Sequence, residues 1–220
     1  MKFRQLLTFV FLMCGVLSAN AQLVAKATDV ANGDSVSSNA ASVSQETIGF
    51  GGKHNRIKMD YNFGWFISKI LDKKGDSHRG MFGTGLSVSY EHVFRAGYGF
   101  GLHGILERSG SLIGGSKELI TGYIGPSFVY AKSINSWTYG YSIGIGYGRY
   151  SLDSYRFYHE DRSGLGTLVQ IEGEKRLTKW LGIGAGLRIL NITVEKPEGF
   201  EGLRYGTGSL RFTIGPRFYF

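Results

Sequence analysis

From Arg56 onward the chain is built of blocks in which apolar and polar residues alternate. Ile57, Met59, Tyr61, Phe63, Trp65 and Ile67 interleave with Arg56, Lys58, Asp60, Asn62 and Gly64, the period of two that marks a strand with one apolar face. The pattern returns with Phe82, Leu86, Val88 and Tyr90 against Gly83, Gly85, Ser87, Ser89 and Glu91, then with Tyr98, Phe100, Leu102 and Leu106 against Gly99, Gly101, His103 and Glu107. A fourth block, about 119–130, alternates less cleanly. The fifth is the most regular: Trp137, Tyr139, Tyr141, Ile143, Ile145 and Tyr147 against Thr138, Gly140, Ser142, Gly144, Gly146 and Gly148. A sixth strand is predicted over 165–171, with Gln170, Glu172 and Glu174 on its polar parity. The seventh carries Leu181, Ile183, Ala185, Leu187 and Ile189, and the eighth carries Leu210, Phe212, Ile214, Pro216, Phe218 and Phe220. Blocks of about ten residues match the length a tilted strand needs to cross a bilayer.

The connections alternate too. Short ones are predicted at 94–97, 131–136 and 176–179, and long ones at 68–80, 108–117, 151–163 and 192–206. All short turns then lie at one end of a sheet and all long loops at the other, the anatomy of an outer-membrane barrel with periplasmic turns and outer loops. Phe94, Tyr98, Tyr130, Trp137, Trp180, Phe218 and Phe220 fall near the short-turn end, as an interfacial aromatic girdle would, while Trp65, Phe82 and Tyr147 mark the opposite boundary. A soluble eight-stranded barrel would turn its apolar parity inward. Here the opposite parity is Gly, Ser, Thr and charges; with that parity lining the cavity and Tyr and Trp on the exterior, a soluble barrel would expose a very large apolar surface and associate, which favours the membrane barrel.

With the apolar parity facing lipid, the lumen receives Lys58, Asp60, Glu91, His103, Glu107, Gln170, Glu172, Glu174, Arg188, Arg211 and Arg217. Eight strands leave an interior only wide enough for side chains, so these charges are expected to pair. Lys58, Asp60, Glu91, Glu172, Glu174 and Arg217 fall near the short-turn end and Glu107, Arg188 and Arg211 higher, which predicts two charge layers acting as a plug. A proton or ion path through the lumen is the functional alternative. Proline cannot donate to a ladder and a closed barrel has no edge; Pro126 and Pro216 are therefore expected outward, near the short turns, at a bulge or a missing ladder bond.

Composition agrees with a barrel. Glycine fills 34 of 220 positions and proline only 3, and glycine is thus about twice its usual share. Aromatics reach 14%. Lys2 and Arg4, an apolar run from Leu6 to Leu17, and Ala19-Asn20-Ala21 read as a cleaved signal peptide over 1–21. Residues 22–54, without sustained period, read as a flexible periplasmic leader, and 55–220 as the barrel domain. Cys14 is the only cysteine, so the barrel has neither disulfides nor thiol chemistry. The net charge of +8 comes from scattered residues and gives no nucleic-acid patch. Gly99-Phe100-Gly101-Leu102-His103-Gly104 has a dinucleotide-binding spelling, but it lies within a strand rather than at a strand-to-helix turn.

The terminal Arg217-Phe218-Tyr219-Phe220, and Ile124-Gly125-Pro126-Ser127-Phe128 echoed by Ile214-Gly215-Pro216-Arg217-Phe218, make the chain similar to the small outer-membrane β-barrel domain family of Gram-negative bacteria, often called porin-like. The resemblance covers 56–220 and the signal. It implies an all-β, closed antiparallel eight-stranded transmembrane β-barrel with up-and-down meander, in the cell outer membrane. It also implies that Phe218, Tyr219 and Phe220 form the signal read by the barrel-insertion machinery. Expected partners are outer-membrane lipid, that machinery and an extracellular partner met through the loops, with no nucleic acid and no cofactor. Some small barrels are lipid-directed enzymes using His, Ser and a carboxylate. The candidates here are His159, Glu160, Asp161 and Ser163, or His92 with Glu91; a solvated loop histidine and a histidine at the turn end argue against both, and no metal-ligand spacing occurs. The reading is a non-enzymatic barrel presenting four outer loops, with a small-solute or ion channel and a lipid-directed enzyme as alternatives.

Deleting Phe218 to Phe220 should abolish outer-membrane insertion, because an unclosed barrel leaves unpaired backbone groups facing lipid, whereas deleting Asp29 to Ser44 should be tolerated. Heat-modifiable gel migration of outer-membrane fractions reads both; folded barrel from the C-terminal truncation would remove the eighth strand from the assignment.

Overall fold

The computed structural model describes residues 46–48, 54–67, 70–71, 77–78, 81–110, 117–154, 158–195 and 205–220. The signal peptide and most of the leader lie outside them. Eight strands form the barrel: β1 Asn55–Phe66, β2 Phe82–Val93, β3 Tyr98–Gly110, β4 Lys117–Ile134, β5 Trp137–Ser154, β6 Tyr158–Arg176, β7 Leu181–Val194 and β8 Tyr205–Tyr219. Each pairs antiparallel with the next, and β8 returns to β1 in a register from Ser209↔Phe66 to Tyr219↔Arg56. The meander therefore closes on itself and leaves no open edge in its wall. Two-residue alternation decides which side chain goes where. On β1, Arg56, Lys58, Asp60 and Asn62 are buried in the lumen while Met59, Tyr61, Phe63 and Trp65 are exposed on the outer wall. The same division on the other strands produces a continuous apolar exterior, with Phe94, Tyr98, Trp137, Trp180 and Phe220 exposed near the short turns.

The strands run further than their alternation. β6 spans Tyr158–Arg176 rather than 165–171. The connection predicted over 151–163 is mostly a continued β5–β6 ribbon, with Leu152↔Glu160 and Asp153↔His159 still in register and only 155–157 between the strands. Likewise β3 and β4 reach Gly110 and Lys117, and the turn predicted over 131–136 shrinks to Asn135-Ser136. The reason is physical. Beyond the lipid the outward face no longer has to be apolar, so the period of two fades while backbone pairing continues. Asn135 takes the left-handed φ of 56°, which asparagine tolerates better than most residues. The β6–β7 turn, Leu177–Trp180, is fastened by the Thr178 hydroxyl, which accepts from the amides of Trp180 and Leu181 at 3.3 and 3.0 Å.

Both described prolines are exposed and interrupt a ladder without a bulge. The β4–β5 register steps from Ile124↔Tyr147 to Ser127↔Gly144, and the β8–β1 register from Ile214↔Tyr61 to Arg217↔Lys58; each skips two positions with no residue inserted. Each proline keeps full pairing on its other side, Pro126 with Leu102 and Pro216 with Ile183. Residues Glu46–Ile48, within the predicted leader, form a short strand on β4, with Glu46 opposite Ile134 and Ile48 opposite Lys132. They occupy the edge that β4 exposes below the start of β3.

The less regular alternation of β4 also finds its cause. Leu119, Tyr123, Val129 and Ala131 point inward, so this strand is apolar on both faces at its ends. Leu119 and Tyr123 join Phe66, Met81, Ile105, Tyr150, Leu152, Leu168, Leu190, Ile192, Val194 and Tyr205 in an apolar core that fills the outer part of the lumen. Val93, Val129, Ala131 and Tyr219 form a smaller cluster at the turn end.

The meander puts the β5–β6 connection and the β4–β5 turn at opposite ends of the barrel, and the orientation expected from the sequence has the first outside the cell and the second in the periplasm. Arg156→Cys should react with a membrane-impermeant maleimide on intact cells, and Ser136→Cys only once the outer membrane is opened; the opposite pattern would invert the model.

Candidate functional site in the barrel lumen

The nine charged residues assigned to the lumen, Lys58, Asp60, Glu91, Glu107, Glu172, Glu174, Arg188, Arg211 and Arg217, are all buried there. Arg56 joins them, fully buried at the start of β1. Its parity is that of Lys58, so the alternation that sends Lys58 to the lumen sends Arg56 there as well. Arg56 is the hub of the turn-end cluster. Its guanidinium donates to Glu91 and Glu174, and to Glu172 Oε1 at 2.6 Å. Lys58 Nζ bridges Glu91 Oε1 at 2.5 Å and Glu172 Oε1 at 3.0 Å. Arg217 donates to Asp60 Oδ1 at 2.6 Å and to Glu174 Oε1 at 2.9 Å, and the Tyr219 hydroxyl donates to Glu174 Oε2 at 2.8 Å.

Arg188 belongs with this cluster rather than with the higher layer to which its sequence position assigns it. Its Nη2 lies 3.7 Å from Asp60 Oδ2, and it donates to Gln170 Oε1 at 3.0 Å, Ser87 Oγ at 3.0 Å and Asn62 Oδ1 at 3.2 Å. With it, Arg56, Lys58, Arg188 and Arg217 face Asp60, Glu91, Glu172 and Glu174, so the cluster is neutral. Higher up stands one more pair. Arg211 Nε donates to Glu107 Oε2 at 3.1 Å, its Nη1 to the Gly64 carbonyl at 2.6 Å and its Nη2 to Ser109 Oγ at 3.1 Å, and the guanidinium lies 4.5 Å from the centre of the Phe66 ring. Neutrality matters because each ion taken from water costs several kcal/mol, and that cost is recovered only where the partners and hydrogen bonds are all in place.

Large inward side chains need room in the narrow lumen, and glycine supplies it. A Cβ on Gly184 would stand 2.7 Å from Arg217 Nε, and one on Gly148 would stand 2.7 Å from Ile192 Cγ1. One arc of the lumen, across β2 to β5, stays short of partners. Ser89 Oγ, both ring nitrogens of His103, the Tyr123 hydroxyl, Ser127 Oγ and Ser142 Oγ are buried without a hydrogen-bond partner among the described residues, though His103 Nε2 is 3.5 Å from Glu91 Oε1. Buried polar groups of this kind are ordinarily met by internal water.

The other candidates are dispersed. Glu91 points into the lumen, while His92 stands on the other face, with Nδ1 2.9 Å from Asn55 Oδ1 and its ring against Phe94 and Phe100. Asp161 is engaged by Arg149, whose Nε donates to it at 2.7 Å. Ser163 is exposed on β6. The side chains of His159 and Glu160 lie outside the described residues. Of the terminal residues, Tyr219 points inward to Glu174 while Phe220 is exposed, its amide and carbonyl exchanging hydrogen bonds with Asn55.

No protein-family model and no curated protein matches this sequence. Solved structures do match in fold. Neisserial surface protein A (NspA) aligns with a TM-score of 0.55 at 15% identity, over 76% of this chain and 97% of that one. Ail, the attachment invasion locus protein of Yersinia pestis, solved with the heparin analogue sucrose octasulfate, aligns with a TM-score of 0.50 at 14% identity, over 76% and 99%. The outer membrane protein OprG of Pseudomonas aeruginosa aligns with a TM-score of 0.50 at 13% identity, over 76% and 96%. With its lipid-facing exterior and its closed meander, the chain has the fold of a small eight-stranded outer-membrane β-barrel.

Proposed function

We propose that this protein is a non-enzymatic barrel of the outer membrane whose filled lumen serves as a rigid anchor for four outer connections, which meet an extracellular partner. The observation that carries this reading is that the lumen is obstructed twice along its length, by the neutral charge cluster toward the turn end and by the apolar core toward the outer end. An ion crossing the barrel would have to break a charge-balanced ion network and then pass a predominantly apolar layer, and both steps are costly. NspA is a surface protein by name, and an outward-directed role for this chain is in keeping with that fold neighbour. Outer-membrane lipid and the barrel-insertion machinery, with Phe218, Tyr219 and Phe220 as its signal, are the further partners in this reading.

A second reading, a channel for small solutes or ions, is favoured by one observation: the glycine-rich arc of β3 to β5 with its unpartnered hydroxyls and His103. Purified protein in planar bilayers separates the two. The anchor reading expects no steady conductance steps, and steady steps would overturn it. It also expects no turnover of labelled lipid; turnover lost in His159→Ala would replace it with the enzymatic reading. If the cluster is structural, Arg56→Met takes one cation from a balanced set and leaves Glu91, Glu172 and Glu174 to share Lys58 and Arg217, which should lower unfolding stability by about 3–5 kcal/mol, read as a shift of the urea midpoint of the heat-modifiable band. An unchanged midpoint would remove Arg56 as the hub.

A further inference from the structure

The two rims of the barrel treat their charges differently. At the outer end, two exposed arginines are matched: Arg108 Nη2 donates to Glu118 Oε2 at 2.8 Å, and Arg149 Nε to Asp161 Oδ1 at 2.7 Å. At the turn end, segments 94–97, 131–136 and 175–180 hold Arg95, Lys132, Lys175, Arg176 and Lys179 and no Asp or Glu. Glu91, Glu172 and Glu174, the nearest barrel carboxylates, point into the lumen and are already paired; Glu46 of the short leader strand comes to this rim opposite Ile134. Arg95, Lys175 and Lys179 pair with no carboxylate among the described residues.

Lys175 and Lys179 stand on a stiff platform shared by two turns. Ser136 O accepts from Arg176 N at 2.7 Å, Leu181 O accepts from the amides of Leu177 and Thr178 at 3.0 and 2.9 Å, and Trp180 O accepts from Tyr219 N at 2.9 Å. Trp137 lies opposite Lys175 in the register, and Lys175 Nζ sits 5.8 Å from the centre of its ring. Trp137, itself stacked on Tyr139, and Trp180 are 44% and 58% exposed, and Leu177 is exposed at the turn. Exposed tryptophans on a membrane barrel lie at headgroup level, so Lys175, over the Trp137 ring, and Lys179, exposed and next in the chain to Trp180, belong to the headgroup depth.

We propose that the β6–β7 turn, with Lys175 and Lys179 between Trp137 and Trp180, is a seat for the phosphate of an anionic phospholipid in the periplasmic leaflet. The proposal rests on the membrane-barrel reading. The two lysines supply charge that no carboxylate among the described residues pairs, the indole rings and Leu177 supply apolar surface for the upper acyl chain, and the pinned backbone keeps the site formed before the lipid arrives. Each basic residue near a lipid surface changes affinity by roughly fivefold.

The test uses full-length Trp65→Phe protein, in which Trp137 and Trp180 report on this rim, in vesicles of phosphatidylcholine. A minority of brominated phosphatidylglycerol should quench their fluorescence more than the same fraction of brominated phosphatidylcholine, and Lys175→Gln with Lys179→Gln should erase that preference. Quenching by brominated phosphatidylcholine and heat-modifiable migration should stay unchanged in the double variant. Equal quenching by the two lipids, or a preference that survives the double variant, would overturn the lipid seat. Loss of the preference on adding inorganic phosphate, beyond a matched sodium chloride control, would assign the seat to a free anion instead and would also overturn it. Failure of brominated phosphatidylcholine to quench at all would instead reject the membrane-barrel reading itself.

Discussion

Arg56 stands where the first strand must meet the last, opposite Tyr219 of β8 on one side and Glu91 of β2 on the other. Its contacts with Glu91, Glu172 and Glu174 tie β1 to β2 and β6, and Glu174 in turn holds Arg217 and Tyr219 of β8. The ladder that closes the barrel is interrupted at Gly215 and Pro216 in this same region, so the ion network joins the two strands where backbone pairing is missing. A narrow, buried interior enforces this arrangement. Charges without partners there would be too costly, so the strands are held in the one register that brings cations and carboxylates together.

The remaining lumen follows from that cluster. Long cations on β1, β7 and β8 extend into the narrow interior, and glycine makes room for one of them where Gly184 faces Arg217. Toward the cell exterior the charge requirement ends with Arg211 and Glu107, and Leu, Ile and Tyr side chains take over. The barrel is thus filled by two kinds of matter, a neutral ion network and an apolar core. A pore through it would need both to open, which is why an anchoring role follows more directly from this interior than a transport role.

The outer wall has its own division of labour. Within lipid it is predominantly apolar, and at the turn end it becomes aromatic and basic. At the outer end, exposed cations stand beside carboxylates, and the β5–β6 ribbon continues well beyond the aromatic boundary marked by Tyr147. The two ends of the molecule therefore offer different chemistry to their surroundings, although both rest on the same continuous ladders.

The number of strands, their order and the face each residue shows were legible in the chain, because lipid demands an apolar exterior and a period of two records that demand one residue at a time. The identities of nine of the lumen charges were legible for the same reason, since parity alone assigns a side. Strand length was not. Outside the bilayer both faces tolerate polar residues, so the period vanishes while the hydrogen bonds persist, and residues such as Asp153 and Glu160 read as loop although they pair. Nor was the partnership of the charges legible. Arg188 joins Asp60 rather than Glu107, and Arg56 binds carboxylates more than thirty and more than a hundred positions away. The stagger of eight tilted strands sets which heights coincide across the lumen, and that is a property of the closed barrel that no single strand carries.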